Sequence, residues 1–194
     1  GFNIKTPLNL ELQNLASASL RKGLIDYDKR KGWRGALDNR NEKDWTKNLD
    51  KFNLEKTIGW EIAIVKRIDK FESVIETSNQ ENGIISYDDI YWTRKNFDQI
   101  FKINDLIYVK KISDGIFSLR QLPSVNGGIV VMDPYSGRVL AMAGGFSFKK
   151  SEFNRVSQAK RQPGSAFKPF IYALALENDY TPSSLILDLS LIHI

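Results

Sequence analysis

Between residues 45 and 123 the apolar and β-branched residues come in short runs, each bounded by Asn, Asp, Ser or Gly. Runs of this length are too short for a stable helix, and turn-forming residues at both ends mark them as strands. The pattern predicts strands at 61–65, 71–75, 106–109 and 116–119. Several short strands at such spacing bury their apolar faces by closing on one another. A small barrel or sandwich follows, with an OB-type barrel the favoured form.

The flanks have other textures. Leu12, Leu15, Ala16, Ser19, Leu20 and Leu24 follow a 3.6-residue period, which predicts a helix with a charged, glycine-containing exit through Gly32 and Gly35. After Asn126-Gly127-Gly128, the runs 129–132 and 138–143 are almost continuously apolar and are joined by Asp133-Pro134-Tyr135-Ser136-Gly137. That reads as a hairpin with a tight turn, covered on both faces because its strands do not alternate. A basic loop over 149–161 leads to Gln162-Pro163-Gly164-Ser165-Ala166-Phe167-Lys168-Pro169, and residues 170–176 carry no charge. A helix apolar all round belongs in a core. The expected class is α+β, divided as a lead-in helix over 1–40, a β-rich module over 41–124 and a third region over 125–194.

Composition narrows the chemistry. The 194 residues contain no cysteine, which excludes disulfides and thiolate chemistry, and one histidine, His193 at the very end, which all but excludes a Ser-His-Asp triad. No metal site and no cofactor are expected. No stretch is long and apolar enough to span a bilayer, and residues 1–7 lack the basic-then-apolar pattern of an export signal, so any anchor or signal is expected outside these residues. The net charge of +5 is local: seven bases and one acid lie between Arg138 and Lys168. The barrel region has no such excess, which argues against nucleic acid as a partner.

Ser165 and Lys168 are the candidate catalytic residues. They open the apolar helix three positions apart, on one side of a helical turn. A lysine near the buried start of a helix is placed where desolvation and the positive end of the dipole both favour the neutral amine. A neutral amine beside a serine hydroxyl accepts its proton, giving an activated nucleophile without histidine. Gly164 permits close backbone approach, and the Ser165 N–H is one of the first-turn donors available to an oxyanion. Pro169 lacks an N–H where none is needed but biases Lys168 away from helical angles. The bare Ser-x-x-Lys pattern occurs four times, at Ser19, Ser147, Ser157 and Ser165, whereas chance alone produces roughly one or two, so only context distinguishes them. Only Ser165 follows Pro-Gly and opens an apolar helix.

Arg161-Gln162-Pro163-Gly164-Ser165-Ala166-Phe167-Lys168-Pro169-Phe170 resembles the start of the transpeptidase domain of bifunctional class A penicillin-binding proteins. So do the Gly128–Pro134 and Gly137–Met142 runs and Phe153-Asn154-Arg155 before it. Upstream, Leu20-Arg21-Lys22-Gly23-Leu24, Asp26-Tyr27-Asp28 and Gly32-Trp33-Arg34-Gly35 are similar to the linker after the glycosyltransferase half, and the β-rich module to the OB-like insert of the 1A type.

The resemblance implies an OB-like insert plus the N-terminal part of a transpeptidase domain of serine β-lactamase-like fold. It also implies peptidoglycan cross-linking on the periplasmic side of the bacterial inner membrane. Ser165 would attack the penultimate D-Ala carbonyl of a stem peptide with Lys168 as base, and β-lactams would acylate the same serine. The basic loop could meet stem carboxylates, and the OB-like insert could dock cell-wall synthesis proteins. Two alternatives remain: a non-catalytic OB-like binding module and a serine β-lactamase. The family's Ser-x-Asn and Lys-Thr-Gly motifs do not follow Ser165 here. Ser124-Val125-Asn126 precedes it, and Lys5-Thr6 and Lys56-Thr57 are followed by Pro7 and Ile58. By itself the chain is therefore expected to be inactive and prone to aggregate, its β-rich module the best-folded part.

Overall fold

The computed structural model describes residues 3–185; His193 and the apolar tail around it lie outside the described residues. Two compact units divide at Gln158 and Ala159. In the first, helix α1 (Leu10–Lys29) is capped by the Asn9 side chain, which accepts the Leu12 N–H at 3.0 Å. Then come β1 (Asp38–Asn39), β2 (Glu61–Ile68), β3 (Glu72–Thr77), β4 (Asn82–Ser86), the one-turn helices α2 (Tyr87–Ile90) and α3 (Phe97–Ile100), β5 (Asp105–Ser113), β6 (Ile116–Arg120), β7 (Ile129–Met132) and β8 (Val139–Ala143). The second unit holds α4 (Lys168–Glu177).

Strands β2 to β6 close into a barrel. β2 pairs with β3, β3 with β4, β4 runs parallel to β6, and β5 pairs with both β6 and β2. This is the expected OB-type closure, with α2 and α3 between β4 and β5. Ala63, Val65, Ile75, Ile85, Ile107, Val109, Phe117 and Leu119 fill the interior together with Ile90, Phe97, Ile100 and Phe101 from the helical segment. β2 and β5 are covered on their outer face too. Trp45, Leu49, Phe52 and Leu54 pack there over Ile62, Ile64, Leu106 and Tyr108, which is why those two strands read as unbroken apolar runs. The Tyr108 hydroxyl donates to the Phe52 carbonyl, and burial pushes its pKa up to about 12.

The spacing did not predict β4, whose Asn82-Gly83 start resembles a turn. Tertiary closeness explains it. The parallel β4–β6 contact brings the Phe117 ring against Gly83, where an added Cβ would lie 2.5 Å from two ring carbons and 2.8 Å from the Gly115 carbonyl oxygen. Glycine is there because a side chain would hold the barrel open.

The β7–β8 hairpin forms as predicted, with Gly137 at φ 68° in its turn and the Asp133 carboxylate accepting the Tyr135 and Ser136 N–H groups. Its expected coverage on both faces is corrected. One face packs on α1 around Ala16 and Ala141, whereas Val130, Met132, Val139 and Met142 on the other are exposed. Leu15 and Ser19 of the predicted helical stripe are exposed as well. The buried face of α1 instead includes Gln13, whose amide donates to the Met142 carbonyl and accepts the Met142 N–H, both at 2.9 Å. A polar residue that completes the hydrogen bonding of a strand backbone can occupy an interface position the apolar pattern passes over.

Asp28, 1 % exposed at the end of α1, joins the two ends of the barrel segment. Its carboxylate accepts from Arg34 Nη1 at 2.8 Å on the way in, and from Gln121 Nε2 at 2.8 Å and the Ser124 N–H at 3.0 Å on the way out. Arg34 also donates to the Leu122 carbonyl at 2.6 Å. Burial works to raise the Asp28 pKa, but the hydrogen bonds from Arg34, Ser124 and Gln121 outweigh it and hold the carboxyl below the usual range.

A group with a depressed folded-state pKa stabilises above its unfolded value and loses that contribution as pH falls through the folded one. Asp28→Asn is therefore expected to flatten the loss of stability below about pH 4, while Asp28→Ala lowers unfolding free energy at neutral pH by about 2–3 kcal/mol; urea titrations across pH check both. Gly83→Ala is expected to cost about 1–3 kcal/mol by overpacking against Phe117, read as a lower urea midpoint.

Candidate active site

Gly164 has φ 54°, a left-handed conformation that favours glycine, and turns the chain directly into a 3-10 turn over Gly164–Phe167. α4 continues from that turn without a break, with Pro169 in its first turn. Ser165 and Lys168 are one 3-10 turn apart, and the Lys168 N–H donates to the Ser165 carbonyl. Residues three apart in such a turn lie above one another, so the two side chains leave the backbone on the same side. Lys168 has φ −55° and ψ −41°, helical angles despite Pro169; continuation of the helix overrides the local preference. The Ser165 N–H lies in the first turn, where backbone donors lack an intrahelical acceptor.

Exposure departs from the expectation. Ser165 and Lys168 are both exposed, and α4 exposes Phe170, Ile171, Tyr172, Leu174 and Leu176, with Phe170 at 68 %. Among the described residues there is no hydrogen bond between the Ser165 hydroxyl and the Lys168 amine. The buried lysine expected here needs a layer over α4 that the described residues do not provide. The Phe167 and Phe170 rings pack on each other with centroids 5.7 Å apart, a small apolar contact beside the serine.

The other motif residues form a scaffold in the first unit. Asn154 lies against Gly144, where a Cβ would come within 1.9 Å of its Oδ1 atom. Its Oδ1 accepts the Val156 N–H at 3.0 Å, while Asn126 Oδ1 accepts the Phe146 N–H at 2.8 Å. The basic loop is partly tied down: Arg155 donates to the Phe153 carbonyl at 2.8 Å, and Lys150 Nζ to the Lys51 carbonyl. Arg155 and Lys150 hold the loop, while Lys160, Arg161 and Lys168 stay exposed on the serine side. The roles of Asn126, Asn154 and Asp28 were missed in the sequence, because polar residues show no periodicity; Asn154 and Asp28 had one signal, membership of the motifs quoted above, and Asn126 only its place before Gly127-Gly128.

No helix among the described residues is long and apolar enough to cross a membrane, and no group of three acidic, His or Cys side chains among them could hold a metal ion.

Two family models match the chain. The penicillin-binding protein OB-like domain matches residues 14–125, and the penicillin-binding protein transpeptidase domain matches residues 127–191. The chain belongs to the penicillin-binding proteins. Its relatives place it with the 1A type. Penicillin-binding protein 1A of Pseudomonas aeruginosa is 35 % identical over 100 % of this chain and 25 % of its own length. That of Rickettsia prowazekii is 37 % identical over 97 % of this chain and 24 % of its own. The crystal structure of penicillin-binding protein 1A from Haemophilus influenzae superimposes with a TM-score of 0.76 at 32 % identity, over 93 % of this chain and 28 % of that one. The chain thus spans about a quarter of the length of the curated relatives it matches.

An exposed apolar α4 has a measurable consequence. The chain is expected to bind the dye ANS and to self-associate with concentration, and the double change Ile171→Lys with Leu174→Glu to cut the dye signal by roughly half or more, measured by fluorescence and light scattering.

Proposed function

We propose that Ser165 is the nucleophile and Lys168 the base of a D-Ala-D-Ala transpeptidase that cross-links peptidoglycan on the periplasmic side of the inner membrane. One observation carries this reading: a left-handed Gly164 delivers Ser165 and Lys168 into a single helical turn at the head of an apolar helix. The family supports it through the transpeptidase match over the same residues.

In the reaction, the Ser165 hydroxyl oxygen attacks the carbonyl carbon of the penultimate D-Ala, and Lys168 takes the hydroxyl proton. The Ser165 N–H is one donor to the resulting oxyanion. As the tetrahedral intermediate collapses, the peptide C–N bond breaks, the proton passes from Lys168 to the leaving amine, and terminal D-Ala departs. The amine of a neighbouring stem then attacks the ester, forming the new amide and freeing Ser165. A β-lactam enters the same first step, its ring amide taking the place of the peptide bond. Burial of α4 under further layers would favour the neutral lysine and exclude water. The proposed organisation is a lead-in over 1–40, an OB-like insert over 41–124 and a transpeptidase portion over 125–194.

The test exchanges this chain for the matching segment of Pseudomonas aeruginosa penicillin-binding protein 1A and follows acylation by a fluorescent penicillin. The chimera is expected to label stoichiometrically, Ser165→Ala to abolish labelling, and Lys168→Ala to slow it by about 10²–10⁴-fold. The chain alone is expected not to label. Labelling that survives Ser165→Ala would reject the assignment.

A further inference from the structure

The barrel carries a trough that the transpeptidase chemistry does not use. Two cavities, of about 620 and 630 Å³, share Tyr87 as a wall and lie along the segment that joins β4 to β5. Each is in the size range of a small-ligand site. Aromatic side chains line them: Phe71, Tyr87 and Phe97 in the first, Tyr87, Tyr91 and Trp92 in the second. Phe71 is 69 % and Tyr91 76 % exposed, so both rings are open to a ligand, and Lys70 Nζ lies 5.3 Å from the Phe71 ring centroid.

The charges are arranged unevenly. Lys29, Arg30, Arg94 and Lys95 surround the second cavity, and none has a carboxylate within ion-pair distance among the described residues. Lys29 Nζ lies 5.4 Å from the Trp92 ring centroid, and Arg30 is stacked 5.3 Å from the ring of Tyr27. The first cavity instead brings Asp69 and Asp98 beside Lys70. Residues 41–124 as a whole hold thirteen bases and fourteen acids. A polyanion charged at every repeat, such as nucleic acid, would gain at one end of this trough and be repelled at the other. A chain of largely neutral rings with occasional carboxylates would not.

We propose that the trough binds a carboxylate-bearing glycan strand. Sugar rings lie on Phe71, Tyr87 and Tyr91, and a carboxylate meets Arg30 and Lys95. Flat aromatic faces take the apolar faces of sugar rings, and guanidinium and ammonium groups supply charge-assisted hydrogen bonds to carboxylates. That the glycan is that of the cell wall rests on the function proposed above; the aromatic and cationic lining does not.

The test is calorimetric titration of the whole chain with peptide-free glycan strands of alternating N-acetylglucosamine and N-acetylmuramic acid. The expected result is saturable binding, about tenfold weaker for a chito-oligosaccharide of equal length, which lacks carboxylates, and weakened about tenfold by Arg30→Glu with Lys95→Glu or by Phe71→Ala with Tyr91→Ala. All four positions are exposed, and an unchanged thermal melt verifies that each variant is folded. Arg138→Glu, in the β7–β8 turn, is expected to leave the affinity unchanged. No saturable binding, an equal loss in Arg138→Glu, or equally tight binding of a single-stranded oligonucleotide would overturn the proposal. Because penicillin labelling of Ser165 is read separately, its persistence alongside failed glycan binding would reject the trough and leave the serine's role standing.

Discussion

The Asp28 carboxylate is the interaction on which the first unit most depends. A barrel placed between a helix and a hairpin that pack together must let the chain leave and return at nearly one point. Asp28 fixes that point by accepting from Arg34 as the chain enters and from Gln121 and Ser124 as it leaves. A buried carboxylate is costly unless its lone pairs are satisfied, so the same residue enforces the geometry of all its donors at once. With the two strands of chain held there, α1 and β8 can meet through Gln13 and Ala16 although the barrel intervenes in sequence.

Closure of the barrel supplies a second constraint of a different kind. Five short strands have too little one-sided surface to be stable as an open sheet, and the parallel β4–β6 contact removes the edges. That contact is made possible by the lack of a side chain at Gly83. The segment over 37–60 covers the outside of β2 and β5, whereas the β4-to-β5 side stays open and carries an aromatic and cationic surface. Covered and open sides thus follow from which strands are apolar on both faces.

The serine–lysine turn depends less on its surroundings for its shape than its proposed chemistry does. Gly164, the 3-10 turn and Pro169 place Ser165 and Lys168 locally, through backbone preferences of a few adjacent residues. The proposed proton transfer from serine to lysine asks for more, namely a dry environment and further oxyanion and proton partners, which packed layers rather than one turn would supply.

The sequence by itself determined the elements whose signal is local. These are the helix at the start, four of the barrel strands, the hairpin with its Asp133–Gly137 turn and the serine–lysine turn after Pro163-Gly164. Each rests on periodicity, turn chemistry or a motif within about ten residues. Only the tertiary structure decided the rest. It turned Asn82-Gly83 into a strand because Phe117 needed the space, and placed Gln13 in an interface because a strand backbone needed partners. It also left one face of β7–β8 and nearly all of α4 uncovered. Burial and hydrogen-bond satisfaction are properties of residues far apart in sequence, and Asp28 and Ser124 meet across ninety-six positions with no periodic trace of that meeting in either segment.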